Sequence, residues 1–211
     1  MILQWHSKHF ISKSLFGSNI LPLFVALFIT GCSGTSAPLT YYLLHPTNKL
    51  PTHASIKNSD AQPLSAQVVT LDKILLPEYL KHRGLVYQTS DTNLHISTSH
   101  LWGESIEEGI AKTLKQSLAE SGIQLVQHDV FNEESTVHLS LYISDFITTY
   151  SGDIYLSGEY TFTSEKDAPK YRAFALQIPL TQDGFAASVK AKREVLKQLA
   201  SDIAHNVKNG A

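Results

Sequence analysis

A chain of 211 residues that carries 17 Lys and Arg against 19 Asp and Glu has a net charge of −2, and its basic residues form no cluster or stripe. This balance excludes the electrostatic footprint of a nucleic-acid-binding protein, which needs a strongly basic face. The single cysteine excludes an intramolecular disulfide, and the length is that of one ordinary domain with a short extension.

The first 31 residues have the composition of a secretory signal. They contain Lys8 and Lys13 but no Asp or Glu, and an apolar run follows at residues 20–29. This run is too short for a membrane-spanning helix, which needs about 20 apolar residues, but it fits a signal-peptide core of roughly 7–15. We therefore predict a signal peptide over residues 1–31.

The only cysteine, Cys32, follows directly after the small residues Thr30 and Gly31. A basic flank, an apolar core, small residues and a cysteine in this order resemble the bacterial lipobox, whereas a free buried thiol explains the position less well. In a lipobox the cysteine carries an S-diacylglycerol and, after cleavage, an N-acyl chain such as palmitate; two or more chains suffice for stable anchoring. The resemblance implies this covalent lipid on Cys32 and no separate cofactor.

Ser33 stands where an aspartate would signal retention at the inner membrane. By resemblance to sorted bacterial lipoproteins, we predict a lipid-anchored protein at the outer membrane that faces the periplasm. The small residues 32–38 predict a flexible tether, and the domain is predicted over residues 39–208. Within the domain, residues 45–65 hold three prolines among Thr, Ser and Lys and predict a flexible loop.

The first half of the domain alternates short apolar runs with turn residues. These runs predict strands at 39–44, 67–76, 85–89 and 94–97. Pro77 ends the second strand because proline cannot donate to a ladder, and one helical turn follows at 77–80. The third and fourth strands predict a hairpin.

Two segments carry an apolar stripe at helical spacing and predict helices over 104–120 and about 184–207, with Gly122 ending the first. The stripes consist of Ile106, Ile110, Leu114 and Leu118, and of Val189, Leu196, Leu199 and Ile203.

Between these helices the apolar residues alternate with a period of two. This pattern predicts strands at 137–143 and 154–162, connected through residues 148–152, and a third strand at 171–178. An amphipathic helix must bury its stripe against another element. The sequence therefore predicts a single α/β domain in which amphipathic helices pack on a mixed sheet.

Motifs that carry catalysis are missing from the chain. It has no nucleophile elbow, no glycine-rich phosphate loop and no His-Glu-x-x-His. The eight histidines after the signal are scattered, and the closest pair, His95 and His100, straddles a strand end. The acidic cluster Glu104, Glu107 and Glu108 favours stabilisation of a helix start over a paired-carboxylate site. We predict neither an enzyme nor a metal site.

Three aromatic residues are candidates for a contact surface. Trp102 precedes the first helix, where a core anchor is the favoured interpretation and a partner contact is the alternative. Tyr142 and Tyr155 fall on the polar faces of two paired strands, where they predict either a cross-strand pair or a binding patch.

Several short motifs occur in an order that resembles the ABC-type transport auxiliary lipoproteins, the paraquat-inducible protein C (PqiC) family. After the lipobox come YYLL at 41–44, LPEYLKHR at 76–83, LVY at 85–87, LW at 101–102, GDIYLSGEY at 152–160 and LASDIA at 199–204. Each motif alone is weak, but together they span nearly the whole chain after the signal.

The resemblance implies an outer-membrane lipoprotein that works with an MCE-domain protein, whose rings or tubes carry lipids across the periplasm. The hypothesis is that the chain docks such a tube to the outer membrane and supports envelope integrity, with a homo-oligomeric ring as one arrangement. Tyr79, Arg83 and Trp102 are the first candidates for the partner contact, and Tyr142 and Tyr155 the second. The alternative is a lipoprotein that itself binds or carries a small hydrophobic ligand.

Overall fold

The computed structural model describes residues 38–45, 67–127, 137–165 and 167–210. The predicted signal peptide, Cys32, nearly all of the tether and all but the first residue of the predicted loop lie outside these ranges. The described residues from 38 onward belong to one compact unit. Its architecture is a mixed sheet with two helices, so the predicted α/β class is confirmed.

Eight strands and two α-helices make up this part of the chain. The strands are β1 (Thr40–Tyr42), β2 (Gln67–Leu75), β3 (Gly84–Gln88), β4 (Leu94–Trp102), β5 (Ile123–Gln127), β6 (Val137–Thr148), β7 (Asp153–Ser164) and β8 (Lys170–Pro179). The helices are α1 (Ile106–Glu120) and α2 (Phe185–Lys208), and a single 3-10 turn spans Glu78–Leu80. The predicted helical turn, the hairpin and both long helices are confirmed.

Strand β6 pairs with three other strands of the sheet. Along one side it pairs antiparallel with β7, which in turn pairs antiparallel with the outer strand β8. On the other side the first half of β6 pairs parallel with β2, and its last residue, Thr148, pairs with β3. β5 extends the sheet beyond β2, and β4 and β1 extend it beyond β3.

The two helices pack against each other and cover one face of the sheet. Every residue of the two predicted stripes is at most 4% exposed, and these residues meet the inward side chains of β6 and β7 in a single core cluster. Burying one such Leu or Ile contributes roughly 1.5–3 kcal/mol, so the stripes fix both helices on the sheet. The inward residues of the two strands are Leu139, Leu141, Ile143, Phe146, Ile154, Leu156, Tyr160 and Phe162.

The ends of α1 follow from local sequence. Ser105 is the N-cap, and its Oγ accepts a hydrogen bond from the Glu108 backbone N–H at 3.2 Å. Glu107 and Glu108 lie in the first turn, where negative charge stabilises the helix. Glu104 lies before the helix and instead pairs with His45 and Lys112, at 2.8 Å and 2.5 Å.

Three details differ from the sequence-based expectation. β5 is an additional strand, too short to stand out in the sequence, which follows the left-handed Gly122 (φ +77°) and pairs parallel with β2. β4 continues to Trp102, so this residue ends a strand before the α1 cap. Finally, Tyr142 lies opposite Glu159 and Tyr155 lies opposite Ile147, so of the two alternatives for these tyrosines, a cross-strand pair or a binding patch, the pair is wrong. A bulge in β6 between Ile143 and Asp145 shifts the register between these positions.

The segment before the undescribed residues 46–66 is held by α2. Arg193 donates from Nε to the Leu44 carbonyl at 2.7 Å and from one terminal nitrogen to the Leu43 carbonyl at 3.3 Å. Leu44 itself is buried in the core. The short strand β1 is thereby fixed by β4 on one side and by a side chain of α2 just beyond its end.

Candidate functional site

The sheet face that α1 and α2 do not cover carries most of the residues predicted to contact a partner; we call it the outer face. Tyr42 packs towards the core, so its neighbour Tyr41 points to the outer face and is 52% exposed. The exposed guanidinium of Arg83 lies 5.7 Å from the centroid of the Tyr41 ring. This distance is that of a cation–π contact, which orients Arg83 on this face.

Tyr79 is fixed to the same face by a half-buried polar network. Its hydroxyl donates to Asp145 Oδ1 at 3.3 Å, and Ser157 donates to Asp145 Oδ2 at 2.9 Å. Ser157 lies between the inward residues Leu156 and Gly158, and therefore points outward. Burial, followed by the negative charge of Asp145, raises the pKa of Tyr79 to about 12. This phenol is therefore a neutral hydrogen-bonding group at physiological pH.

Tyr142 and Tyr155 lie on the outer face without forming a pair. Tyr142 is 45% exposed and Tyr155 is half-buried. Trp102, in contrast, is only 5% exposed and belongs to the core cluster. The structure thus brings four of the five predicted contact residues to one face and places Trp102 inside the fold, as the core-anchor interpretation expected.

A second site, absent from the sequence-based candidates, is a cleft between the start of α2 and the ends of β3 and β6. It has a volume of about 240 Å³. We call it the Lys192 cleft and define it by its lining residues, Leu85, Val86, Tyr87, Thr148, Leu180, Gly184, Phe185, Ser188 and Lys192. Most of these side chains are apolar.

The polar groups of the Lys192 cleft are few. Thr148 and Ser188 share one hydrogen bond between their hydroxyls at 2.6 Å. Lys192 is 2% exposed; its Nζ donates to the Phe146 carbonyl at 3.2 Å and lies 4.7 Å from the Phe146 ring centroid. Burial lowers the pKa of Lys192 to about 7.

The unusual position of Lys192 on a buried helix face can be recognised in the sequence. The residue follows Val189 by three positions and precedes Leu196 by four, so it falls on the buried stripe of α2. A lysine there is unusual because the charged form is costly to bury without a partner. The cleft itself could not be foreseen, since β3, β6 and α2 are far apart in sequence.

Aromatic rings line the approach to the Lys192 cleft. Phe185 stacks on His100 with ring centroids 3.9 Å apart, and His100 Nδ1 lies 3.0 Å from the Tyr42 hydroxyl. Tyr87 contacts Phe185 edge-on and His95 at a tilt. His95 and His100, the closest histidine pair after the predicted signal, therefore belong to aromatic packing.

In the described ranges no three His, Cys, Asp or Glu side chains gather in a way that could hold a metal ion. Among those same residues no helix is both long enough and apolar enough to span a membrane.

Comparison with known proteins identifies the family. A family model described as the ABC-type transport auxiliary lipoprotein component matches residues 49–204. The chain belongs to this family. The resemblance seen in the sequence is thereby confirmed, and the family is one of transport auxiliary lipoproteins rather than of enzymes.

Individual relatives agree with this assignment. The chain is 28% identical over 185 residues to "Intermembrane transport lipoprotein PqiC" from Escherichia coli (strain K12). The alignment covers 87% of this chain and 94% of that protein. The Shigella flexneri protein of the same name gives the same values. A crystal structure of an uncharacterized protein shares the fold with a TM-score of 0.65 and 23% identity, over 81% of this chain and 99% of the other. A Xanthomonas campestris protein follows with a TM-score of 0.55 and 14% identity, over 68% of this chain and 85% of the other.

Proposed function

We propose that this chain is the outer-membrane lipoprotein of an MCE-type intermembrane lipid transport system, and that it docks the periplasmic tube to the outer membrane and supports envelope integrity. The observation that carries the proposal is the match to a protein named as an intermembrane transport lipoprotein, which runs along nearly the whole of both chains. The family described as transport auxiliary lipoproteins supports the same role.

The anchor in this proposal is lipid on Cys32, a residue outside the described ranges. Its support is the order of basic flank, apolar core, small residues and cysteine in the sequence. Two or more acyl chains hold a protein stably on a membrane, at about 0.8 kcal/mol per buried methylene. The domain then needs no spanning segment of its own to stay at the outer membrane and face the periplasm.

The docking surface in this proposal is the outer face. Tyr and Arg are the residues that protein interfaces favour, because they combine apolar area with hydrogen-bonding groups. Tyr41, Tyr142 and Arg83 supply such groups at exposed positions, and Tyr79 and Tyr155 supply them at half-buried ones. The partner is an MCE-domain protein of the same system, and several copies of this chain arranged as a ring would present several such faces to one tube.

Photo-crosslinking in living cells tests the docking proposal. A photoreactive amino acid replaces Tyr142 in the full-length lipidated chain, and captured proteins are identified by mass spectrometry. The matched control carries the same group at Tyr150, which is 60% exposed but lies in the β6–β7 turn. We expect an MCE-domain protein from position 142 and little from position 150. Equal capture at both positions, or no MCE-domain protein at either, would count against docking through the outer face.

The second candidate function, binding of a small hydrophobic ligand by the chain itself, is favoured by one observation. The Lys192 cleft is mostly apolar and lies at the edge of the core rather than on the outer face. A ligand there would leave the proposed docking surface free.

A further inference from the structure

We propose that the Lys192 cleft binds a single-chain anionic amphiphile, such as a fatty acid, with the anion at Lys192 and the chain along the apolar walls. This site is independent of the docking role, because none of its lining residues belongs to the predicted contact set on the outer face. If the cleft binds no such ligand, the docking proposal still stands. If the chain does not dock through the outer face, the ligand proposal still stands.

The first argument is the unpaired charge. Lys192 is 2% exposed, and in the part of the chain that the structure describes its Nζ has one hydrogen-bond acceptor, the Phe146 carbonyl, and no carboxylate. An ammonium has three N–H donors, so two of them have no acceptor here. A buried cation without an anion is costly, and such groups concentrate at functional sites. A bound anion would supply the missing counter-charge.

The second argument is the arrangement of the other donors. Ser188 and Lys192 are four residues apart on α2 and therefore lie on the same side of the helix. The hydroxyls of Ser188 and Thr148 share one hydrogen bond, which uses only one of their two protons. The remaining hydroxyl proton and the ammonium can both donate to the oxygens of one carboxylate or phosphate.

The third argument is the size and chemistry of the walls. Leu85, Leu180 and Phe185 give the cleft an apolar lining that suits a hydrocarbon chain. At about 240 Å³ the cleft is smaller than the roughly 300–1,000 Å³ of common ligand pockets, so it fits one short chain and not a two-chain phospholipid. An anionic head with one apolar tail matches all three features.

Equilibrium dialysis of the full-length protein in a mild detergent tests this proposal, with a detergent-only blank. The probes are radiolabelled octanoate, octyl phosphate, inorganic phosphate and octylammonium. We expect octanoate to bind saturably with one site per chain and at least tenfold more tightly than octylammonium. A preference for octanoate indicates a fatty-acid carboxylate as the ligand, and a preference for octyl phosphate indicates a phosphate-headed lipid. Binding of inorganic phosphate alone would show that the hydrocarbon chain of the ligand plays no part and would overturn the proposal.

Two variants test whether octanoate binding depends on Lys192 itself or on the positive charge of α2 in general. Lys192→Met should weaken octanoate binding at least tenfold, whereas Lys190→Met, which removes an exposed lysine of the same helix, should leave it unchanged. The comparison of octanoate with octylammonium on the unaltered protein needs no variant, so it decides the question even if Lys192→Met folds poorly. Equal affinity for the two probes, or no saturable octanoate binding, overturns the proposal; a lysine that only supports the Phe146 carbonyl predicts that result.

Discussion

Replacing Lys192 by methionine should raise the free energy of unfolding above that of the unaltered chain. This gain should be larger at low pH than at high pH. Burial lowers the pKa of Lys192 from 10.5 to about 7. An unfolded lysine keeps its proton up to about pH 10.5, so between pH 7 and 10.5 the unfolded state binds more protons than the folded state. The stability contributed at this residue therefore rises with pH across that window. Below pH 7 both states are protonated, and the full cost of the buried charge is present.

The magnitude follows from the same shift. Each pKa unit corresponds to 1.36 kcal/mol, so the buried ammonium costs on the order of 5 kcal/mol at pH 6. Methionine fills a similar volume without charge but loses the hydrogen bond to the Phe146 carbonyl, worth about 1 kcal/mol. We expect Lys192→Met to be about 4 kcal/mol more stable at pH 6. The advantage should shrink by about 1.4 kcal/mol per pH unit above pH 7, to about 1 kcal/mol at pH 9.

Urea unfolding of the detergent-solubilised full chain, followed by circular dichroism at pH 6, 7, 8 and 9, measures this difference. Tyr87, the other titratable side chain that lines the cleft, is present in both proteins and therefore does not contribute to the difference. Lys190→Met is the control and should stay within about 0.5 kcal/mol of the unaltered chain at every pH. A stability difference for Lys192→Met that is the same at pH 6 and pH 9 would refute the reasoning, because it would mean that Lys192 keeps its proton throughout.

Two further predictions concern the anchor and the core. Cys32→Ala should release the chain from the outer-membrane fraction into the soluble fraction with an unchanged circular dichroism spectrum; outer-membrane retention together with full complementation of a deletion strain would show that lipidation is not the functional anchor. Tyr160→Phe should lower the free energy of unfolding by about 1–3 kcal/mol, because the Tyr160 hydroxyl donates to Asp202 at 2.8 Å and accepts from Asn206 at 2.8 Å. Chemical denaturation checks it, and an effect below about 0.5 kcal/mol would mean that this network adds little to stability.

The sequence predicts the helices and most strands of this fold because their signals are local. The stripe of Ile106, Ile110, Leu114 and Leu118 and the alternation in β6 and β7 each need one buried face, and the structure provides it. β5 was missed because only Ile123 and Leu125 of its five residues are fully buried. The two tyrosines do not pair because the turn between Thr148 and Asp153 sets the register of β6 and β7 and places Tyr155 opposite Ile147, and alternation alone does not reveal this register.

The candidate site was only partly predictable. The outer-face residues Tyr79, Arg83, Tyr142 and Tyr155 came from motifs and alternation, and they share a face because the sheet places them there. The Lys192 cleft depends on contacts between distant segments, such as the hydrogen bond that joins Thr148 to Ser188. Only the lysine on an apolar helix stripe marked it in the sequence.

The two hydrogen bonds from Arg193 to the carbonyls of Leu43 and Leu44 bear on how the domain resists mechanical load. A lipid on Cys32 would pull on the chain only a few residues before β1, whose ladder to β4 spans three residues. Tension from a moving membrane would then reach this short ladder first and Arg193 immediately after it. The two hydrogen bonds of the guanidinium would carry part of such tension before the buried side chain of Leu44 is pulled from the core.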